Sequence, residues 1–353
     1  MTVENNKLRG KQSICFDNPP VIQSAASIAG KMEGEGPLGS YFDVIDTDPM
    51  FGQNSWEEAE SKMLGMAVDT VIHKSGLSRN EIRYIVGGDL LGQLIATSFG
   101  IENFDIPLLG VYGACSTMGE SMAVASMLVE GGFADHALAI TSSHFAGAEK
   151  QFRFPLGYGN QRPLAATWTV TGSGAVVIGQ TINKQSAFGR EFLPVQIHIM
   201  GVTIGKITDF GLKDSLNMGA CMAPAACSTI AQHLKDFDRQ PNYYDRIITG
   251  DLGVVGRDIL IDLLKEEGYD ITSNHMDCGI EIYDPETQDT HAGGSGCGCS
   301  AITLCGYVLQ KMRKKEWNRI LFVPTGALLS TVSYNEGQSV PGIAHAVILE
   351  TNA

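Results

Sequence analysis

The sequence predicts an α/β protein built from two similar halves. Strand-like apolar runs alternate with helix-like segments along the 353 residues, an order typical of α/β architecture. A weak internal repeat indicates the two halves: IRYIVGGDLLG (82–92) resembles DRIITGDLGVVG (245–256), and each is a strand-like run followed by Gly-Asp-Leu. A repeat of nearly half the chain is too long for a solenoid and suits a duplicated domain.

The individual elements follow from periodicity and capping residues. The clearest is a helix over Trp56–Ser75, whose apolar residues fall largely on one face and which Asn54-Ser55 precedes as a candidate N-cap. Next come predicted strands over 82–86 and 108–112, a helix over 116–128 and a strand over 136–141.

A second repeat pairs longer segments and places the boundary between the halves. Residues 113–143 parallel residues 294–326, each with a small-residue turn, an apolar helix, a polar break and a strand. The polar stretch TINKQSAFGR (181–190) is the predicted joint, which divides the chain into 1–182 and 183–353. The helices near Cys115 and Cys299 are apolar almost all round, so we expect them to be buried between two sheets.

Composition excludes several classes of function. The formal net charge of −14 and the lack of a basic stripe argue against a nucleic-acid partner. The eight cysteines lack zinc-site spacing and predict a reduced, intracellular chain without structural metal. The best apolar run, 122–129, is far shorter than the roughly 20 residues that span a bilayer.

The stretch GVYGACSTMGE (110–120) holds the candidate catalytic residue, Cys115. It follows a strand and a small-residue turn, and it opens a helix. Unpaired N–H groups at a helix start favour a thiolate, so we expect the pKa of Cys115 to fall and its nucleophilicity to rise. The alternative is a small buried side chain that only packs.

This arrangement, with TVTGSGAVVIG (169–179) and the duplication, resembles the thiolase and ketoacyl-synthase superfamily over nearly the whole chain. The resemblance implies a thiolase-like duplicated fold in five layers, αβαβα, with mixed sheets and buried central helices. It also implies that Cys115 occupies the position of the acylated nucleophile, served by an oxyanion hole and by His or Asn partners from the second half.

The sequence departs from that superfamily at the partner positions. Gly250 or Asp251 stands at the first of them and Ser295 at the second, and the C-terminal strand has no counterpart of the thiolase CxG base. His291 and His345 could substitute, although ordinary structural histidines are the simpler interpretation. The prediction therefore leans away from an enzyme and leaves the question open.

Longer matches resemble one branch of the superfamily, the stage V sporulation protein AD family. They include GDLLGQ (88–93), TSSHFAGAEKQFRFP (141–155), TGDLGVVG (249–256) and AGGSGCGCSA (292–301). The resemblance implies binding of dipicolinic acid, its uptake into the developing spore and its release at germination. It further implies partner subunits of the stage V sporulation A channel complex, and an intracellular forespore location at the spore inner membrane, peripheral and held through those partners. Pairing as a homodimer through the first half's sheet is also implied.

The predicted ligand site centres on Cys115, as the floor of a pocket between the halves. The segment 144–163 adds His144 as a lining residue and Arg153 as a carboxylate ligand, since arginine grips a carboxylate with two donors. Lys150 and Arg162 lie in the same segment and are either ligands or ordinary surface charges.

Three further residues complete the predicted site. Asp89 and Asp251 follow equivalent strands, and each either meets the ligand or caps its own turn. Ser295 lies in the loop that carries the second partner position. No cofactor is predicted; the resemblance leaves room for Ca²⁺ to accompany the ligand, because two carboxylates alone would not hold it.

Two other functions stay open at this point. One is an acyltransferase or condensing enzyme that uses Cys115 as the acyl acceptor. The other is a structural subunit with a vestigial pocket. The missing partners disfavour the first, and the retained Cys115, His144 and basic segment disfavour the second.

Overall fold

A computed structural model describes residues 7–152, 162–180 and 195–352 of the chain. Its strands are β1 (Leu8–Arg9), β2 (Ser13–Cys15), β3 (Val21–Ala29), β4 (Val44–Ile45), β5 (Tyr84–Asp89), β6 (Leu108–Gly110), β7 (His136–Ser143), β8 (Trp168–Thr169), β9 (Gly172–Gly179), β10 (Ile197–Thr203), β11 (Arg246–Thr249), β12 (His275–Asp277), β13 (Gly294–Ser295), β14 (Arg319–Val323), β15 (Thr325–Ala327), β16 (Gly342–Ala344) and β17 (Ala346–Thr351).

The α-helices are α1 (Lys31–Gly34), α2 (Trp56–Ser75), α3 (Ile95–Ile101), α4 (Thr117–Glu130), α5 (Phe145–Phe152), α6 (Met218–Asp236), α7 (Gly253–Glu266), α8 (Cys278–Glu281), α9 (Cys297–Ile302), α10 (Leu309–Arg313) and α11 (Thr331–Asn335). A π-helical segment, Thr303–Val308, joins α9 to α10. Within the described ranges, no helix has both the length and the apolar character that crossing a membrane requires.

The main sheet is a mirrored arrangement of two five-strand units. Its order is β12-β11-β14-β17-β10-β3-β9-β7-β5-β6, and the units meet where β10 pairs with β3. On each side the three outer strands are parallel, and the next strand inward is antiparallel to them. The sequence repeats therefore fall on equivalent strands, β5 with β11 and β7 with β14.

Alternating residues along the strands show that the two five-strand units form separate sheet layers, with helices between them and on both outer sides. In β14, Ile320 and Phe322 belong to the central core, whereas Leu321 and Val323 pack in the core under α6 and α7. In the first half, α2 covers the outer face, and the inner face shares the central core. Because side chains alternate across a strand, the layers run α2/α3, sheet, α4/α9, sheet, α6/α7. The predicted α/β class and five-layer fold are confirmed.

The predicted elements lie close to the observed ones. The helix over Trp56–Ser75 is found with those bounds, and the Ser55 side chain caps it by accepting a hydrogen bond from the Glu58 N–H at 3.2 Å. The strand predicted over 136–141 continues to Ser143, and the one over 108–112 ends at Gly110. The predicted boundary at 182/183 lies outside the described residues and stays a prediction.

Candidate functional site

A cavity of about 390 Å³ opens at the carboxyl ends of the parallel strands, between the two halves. Its volume is within the range of small-molecule sites, roughly 300–1,000 Å³. A larger groove of about 660 Å³ lies between α2 and α3, and none of the predicted site residues lines it. The lining of the smaller cavity is Leu90, Leu91, Gly92, Gln93, Tyr112, Ala114, Cys115, Gln151, Thr169, Met218, Ser295, Gly296, Ala327, Leu329, Ser330 and Thr331.

A tight turn presents Cys115 to the floor of this cavity. Residues Ala114–Ser116 form a single 3₁₀ turn between β6 and α4, and Ala114 has a φ of 49°, which is unusual for a residue with a Cβ. The Gly113 carbonyl accepts hydrogen bonds from the Ser116 N–H (3.0 Å) and hydroxyl (2.7 Å). Gly326 packs against this turn, and a Cβ there would lie 2.1 Å from the Gly113 oxygen. The turn is therefore fixed by its own bonds and by close packing.

The Cys115 thiol lies between Asp251 and Gly296. It is close enough to the Asp251 carboxylate and to the Gly296 N–H for both to act on its ionisation. Burial and the neighbouring Asp251 charge raise the pKa of Cys115 well above its ordinary value. The prediction of a lowered pKa is wrong here, because desolvation and a carboxylate partner outweigh the start of the helix.

Two hydrogen bonds hold Asp251 in place beside Cys115. Its carboxylate accepts them from the Gly296 N–H (2.9 Å) and the Thr325 hydroxyl (2.8 Å). Asp277 in turn accepts hydrogen bonds from the N–H groups of Leu252 (2.9 Å) and Gly253, which fix the loop after β11. Burial raises the pKa of Asp251 to about 7. Of the two candidates for the first partner position, Asp251 is the residue that contacts Cys115.

Asp89 occupies the equivalent point of the first half with a different role. Its carboxylate accepts hydrogen bonds from the Leu91 N–H (3.1 Å) and from the Thr97 N–H (2.9 Å) and hydroxyl (2.7 Å). This is the turn-capping alternative of the sequence analysis. Asp89 therefore shapes the loop that carries Leu90 to Gln93 into the cavity lining, and the described contacts give it no direct place there.

The basic segment is placed mainly outside the cavity. The His144 imidazole packs on Trp56 and its Nε2 bonds the Pro49 carbonyl at 2.8 Å. Lys150 forms an ion pair with Glu57. Arg162 is buried, and its guanidinium donates hydrogen bonds to the backbone carbonyl (2.6 Å) and the carboxylate (3.2 Å) of Asp289. Arg153, the predicted carboxylate ligand, lies outside the described residues.

Ser295 lines the cavity as predicted from its loop, next to Thr169 of the neighbouring short strand. Sequence reasoning missed the uncharged polar residues around it. Gln151 lies inside the segment 144–163, from which only His144 and the cationic residues were predicted. Gln93 follows the Gly-Asp-Leu motif. The missed polar lining residues are Gln93, Tyr112, Gln151, Thr169, Ser330 and Thr331.

The two alternative histidines lie elsewhere. His291 bonds the Pro163 carbonyl at 3.0 Å and pairs with exposed Asp289. His345 is buried and accepts a hydrogen bond from the Gly205 N–H at 3.3 Å. Neither is among the cavity-lining residues. Over the described parts of the chain, no group of three or more His, Cys, Asp or Glu residues is arranged to hold a metal ion.

Solved structures define the class of fold. The chain is similar to 3-oxoacyl-[acyl-carrier-protein] synthase III from Aquifex aeolicus, with 13% identity, a TM-score of 0.55, and coverage of 94% of this chain and 99% of that one. It is also similar to acetamide-bound OleA from Xanthomonas campestris, with 13% identity, a TM-score of 0.59, and coverage of 96% and 100%. The molecule therefore has the thiolase-like fold.

Sequence comparison places the chain more narrowly. The profile of the family "Stage V sporulation protein AD (SpoVAD)" matches residues 10–350. Stage V sporulation protein AD of Bacillus subtilis is 46% identical over 344 residues, which cover 98% of each chain. This chain belongs to the stage V sporulation protein AD family and is a sporulation protein with a thiolase-like fold.

Proposed function

We propose that this chain binds dipicolinic acid, pyridine-2,6-dicarboxylate, in the cavity above Cys115. One observation carries the proposal: the described lining keeps the cysteine at its floor but surrounds it with amides and hydroxyls, and holds no imidazole. Condensing chemistry at a cysteine needs groups that activate it and stabilise developing charge. Neutral donors instead suit the reversible binding of carboxylate oxygens.

The ligand's two carboxylates would take hydrogen bonds from different sides of the cavity. Gln93 follows the Asp89 turn and Gln151 lies on α5, while Thr169 and Ser295 lie side by side on the paired strands β8 and β13. Ca²⁺ would enter only with the ligand, because calcium needs several oxygen ligands and the ligand's own carboxylates would supply them.

The cellular role that we infer is handling of this acid during sporulation and germination. The family membership supports a role in the spore, with uptake into the developing spore and release at germination as the proposed steps. We place the chain in the forespore, peripheral at the spore inner membrane, where other subunits of the stage V sporulation A complex would hold it.

Calorimetric titration with dipicolinic acid, with and without Ca²⁺, tests the binding proposal. Benzene-1,3-dicarboxylate is the matched ligand control, because it keeps the carboxylate spacing and lacks the ring nitrogen. We expect saturable binding of the pyridine acid to the folded protein. No heat under either condition would refute the proposal and leave the structural subunit with a vestigial pocket.

Variants locate the site. We expect Cys115→Ala and Ser295→Ala each to weaken binding about fivefold, since one net hydrogen bond or packing contact contributes about 1 kcal/mol. Cys305→Ala is the matched control, because Cys305 is a buried cysteine that donates to the Ala175 carbonyl, away from the cavity. Unchanged affinity in both site variants would place the ligand elsewhere.

The Cys115–Asp251 contact favours one second candidate, acyl transfer to Cys115. Asp251 could accept the thiol proton as the sulfur attacks a thioester, and return it to the departing thiol. The raised pKa of Cys115 opposes this candidate. Incubation with acetyl-CoA followed by intact-mass measurement decides: the candidate requires an acyl adduct that disappears in Cys115→Ser.

A further inference from the structure

Arginines stacked on aromatic rings form a band at the end of the molecule opposite the cavity. The Arg246 guanidinium lies 5.4 Å from the centroid of the Trp317 ring. Arg319 lies 4.6 Å and Arg239 lies 4.0 Å from the centroid of the Tyr243 ring. We call these five residues the basic–aromatic band. Arg246 begins β11 and Arg319 begins β14, whereas the cavity lies beyond the other ends of those strands.

The acidic groups inside the band already have partners. One Asp245 carboxylate oxygen accepts hydrogen bonds from the N–H groups of Asn318 (2.6 Å) and Arg319 (2.9 Å). Glu350 accepts a hydrogen bond from the Tyr243 hydroxyl (3.0 Å) and lies 3.7 Å from Arg239. Arg239 therefore offsets the Glu350 charge, whereas Asp245, bonded to neutral N–H groups, keeps its negative charge beside Arg246.

The turn between α10 and β14 extends the positive charge. Lys314 and Lys315 are exposed there, separated from Trp317 by Glu316, and Arg319 is exposed at the start of the next strand. Glu316 in the same turn is paired with Lys311 at 2.6 Å. In a chain with a formal net charge of −14, this end is therefore a local concentration of cations.

The combination of residue types points to one kind of partner. Tryptophan and tyrosine favour the headgroup level of a bilayer, where one part of the ring is apolar and another is wet. Each Lys or Arg close to an anionic leaflet adds about 1 kcal/mol of attraction. We propose that the basic–aromatic band, with Lys314 and Lys315, docks directly on the headgroups of an anionic lipid bilayer. The proposal rests on the membrane location inferred above, and it adds a contact that the chain makes itself.

Sedimentation of the full chain with lipid vesicles tests the proposal. We expect binding to vesicles of phosphatidylcholine and phosphatidylglycerol, none to phosphatidylcholine alone, and release at high salt, since exposed charges are screened there. Binding to the neutral vesicles alone, or to no vesicle, overturns the proposal. In the second case an acidic protein surface becomes the alternative occupant.

A charge-matched pair of variants localises the contact. Replacing Arg246, Lys314, Lys315 and Arg319 by Gln should weaken binding at least about tenfold. Replacing the exposed Lys11, Lys62, Lys206 and Lys213 by Gln changes net charge equally and should leave binding near that of the parent. Equal losses in both, or no loss in the first, overturn the proposal. The circular dichroism spectrum and thermal unfolding of the first variant report its folding without reference to any ligand. Dipicolinic acid titration of the parent tests the cavity separately, so the two proposals fail independently.

Discussion

Burial, together with one charged neighbour from the other half of the chain, sets the chemical character of Cys115. The helix start predicted a reactive thiolate, yet the thiol is buried and lies near the Asp251 carboxylate. Burial and a nearby negative charge both oppose ionisation of the thiol. The residue is therefore kept protonated and suited to contact with a ligand.

Replacing Asp251 tests this control. In Asp251→Asn, loss of the carboxylate charge should lower the pKa of Cys115 and raise its alkylation rate by iodoacetamide at pH 8 about tenfold. Peptide mass spectrometry would measure the rate at Cys115. Half-buried Cys15 in the same sample is the internal control and should react as in the parent. An unchanged or slower rate at Cys115 contradicts the assignment.

The sequence could predict which residues come near the site but not which of them face it. The repeat aligned Asp89 with Asp251, and that equivalence holds for the strands. Side-chain direction then separates the pair, since Asp89 bonds its own turn whereas Asp251 bonds Gly296 and Thr325 and lies near Cys115. Likewise, the cations of 144–163 drew attention because arginine binds carboxylates, whereas Lys150 and Arg162 are engaged by local acids. Such pairings depend on tertiary contacts that spacing does not contain.

At the scale of elements, α2 brings a carboxyl group under the first-half sheet. Glu60 is buried and accepts a hydrogen bond from the Ser142 hydroxyl of β7 at 2.9 Å. Burial, with a contribution from the Asp89 charge, raises the pKa of Glu60 to about 8. The folded protein therefore keeps a proton that the unfolded chain loses near pH 4.5, and stability falls as pH rises between these values.

The free energy of unfolding should consequently decrease from pH 6.5 to 8, with a slope of up to about 1.4 kcal/mol per pH unit from Glu60. Burial lowers the pKa values of three histidines, His233, His275 and His345. They change the free energy of unfolding only below pH 6.5, where the unfolded chain takes up protons. Asp251, with a pKa of about 7, adds to the decrease at the start of this window.

Glu60→Gln should make the decrease shallower, as measured by denaturant unfolding across that pH range. Glu58→Gln is the matched control on the same helix, because Glu58 lies in its first turn at the surface. A parent and a Glu60 variant with the same pH slope would contradict the assignment.

At the scale of the whole molecule, the two sequence repeats account for most of the architecture. They located β5 with β11 and β7 with β14, and the apolar helices near Cys115 and Cys299 were recognised as the central layer. The repeats could not predict how the halves join, because β10 pairs with β3 only through the bridge between His198 and Val21. The local sequence pattern of neither strand indicates which strand it pairs with.

We expect two copies of the chain to associate through strand β6. It ends the sheet order in the described residues and bonds β5 along one side, while Leu109 and Tyr112 are 42% and 37% exposed. An edge strand with apolar side chains is a ready template for pairing with a second copy. We expect a dimer by analytical ultracentrifugation and a monomer for Leu109→Lys. Ile207→Lys, at another exposed apolar residue, should remain dimeric; a dimeric Leu109→Lys would exclude this edge.

The opposite placement of the cavity and the basic–aromatic band along β11 and β14 has a consequence for transport. If the band lies on lipid, the mouth of the cavity faces water, and a bound ligand is at the opposite end of the strands from the bilayer. The cavity would then be open to the aqueous compartment and would take up its ligand from there. Transfer of the proposed ligand toward the bilayer would require either rotation of the whole subunit or a second protein that contacts the mouth of the cavity.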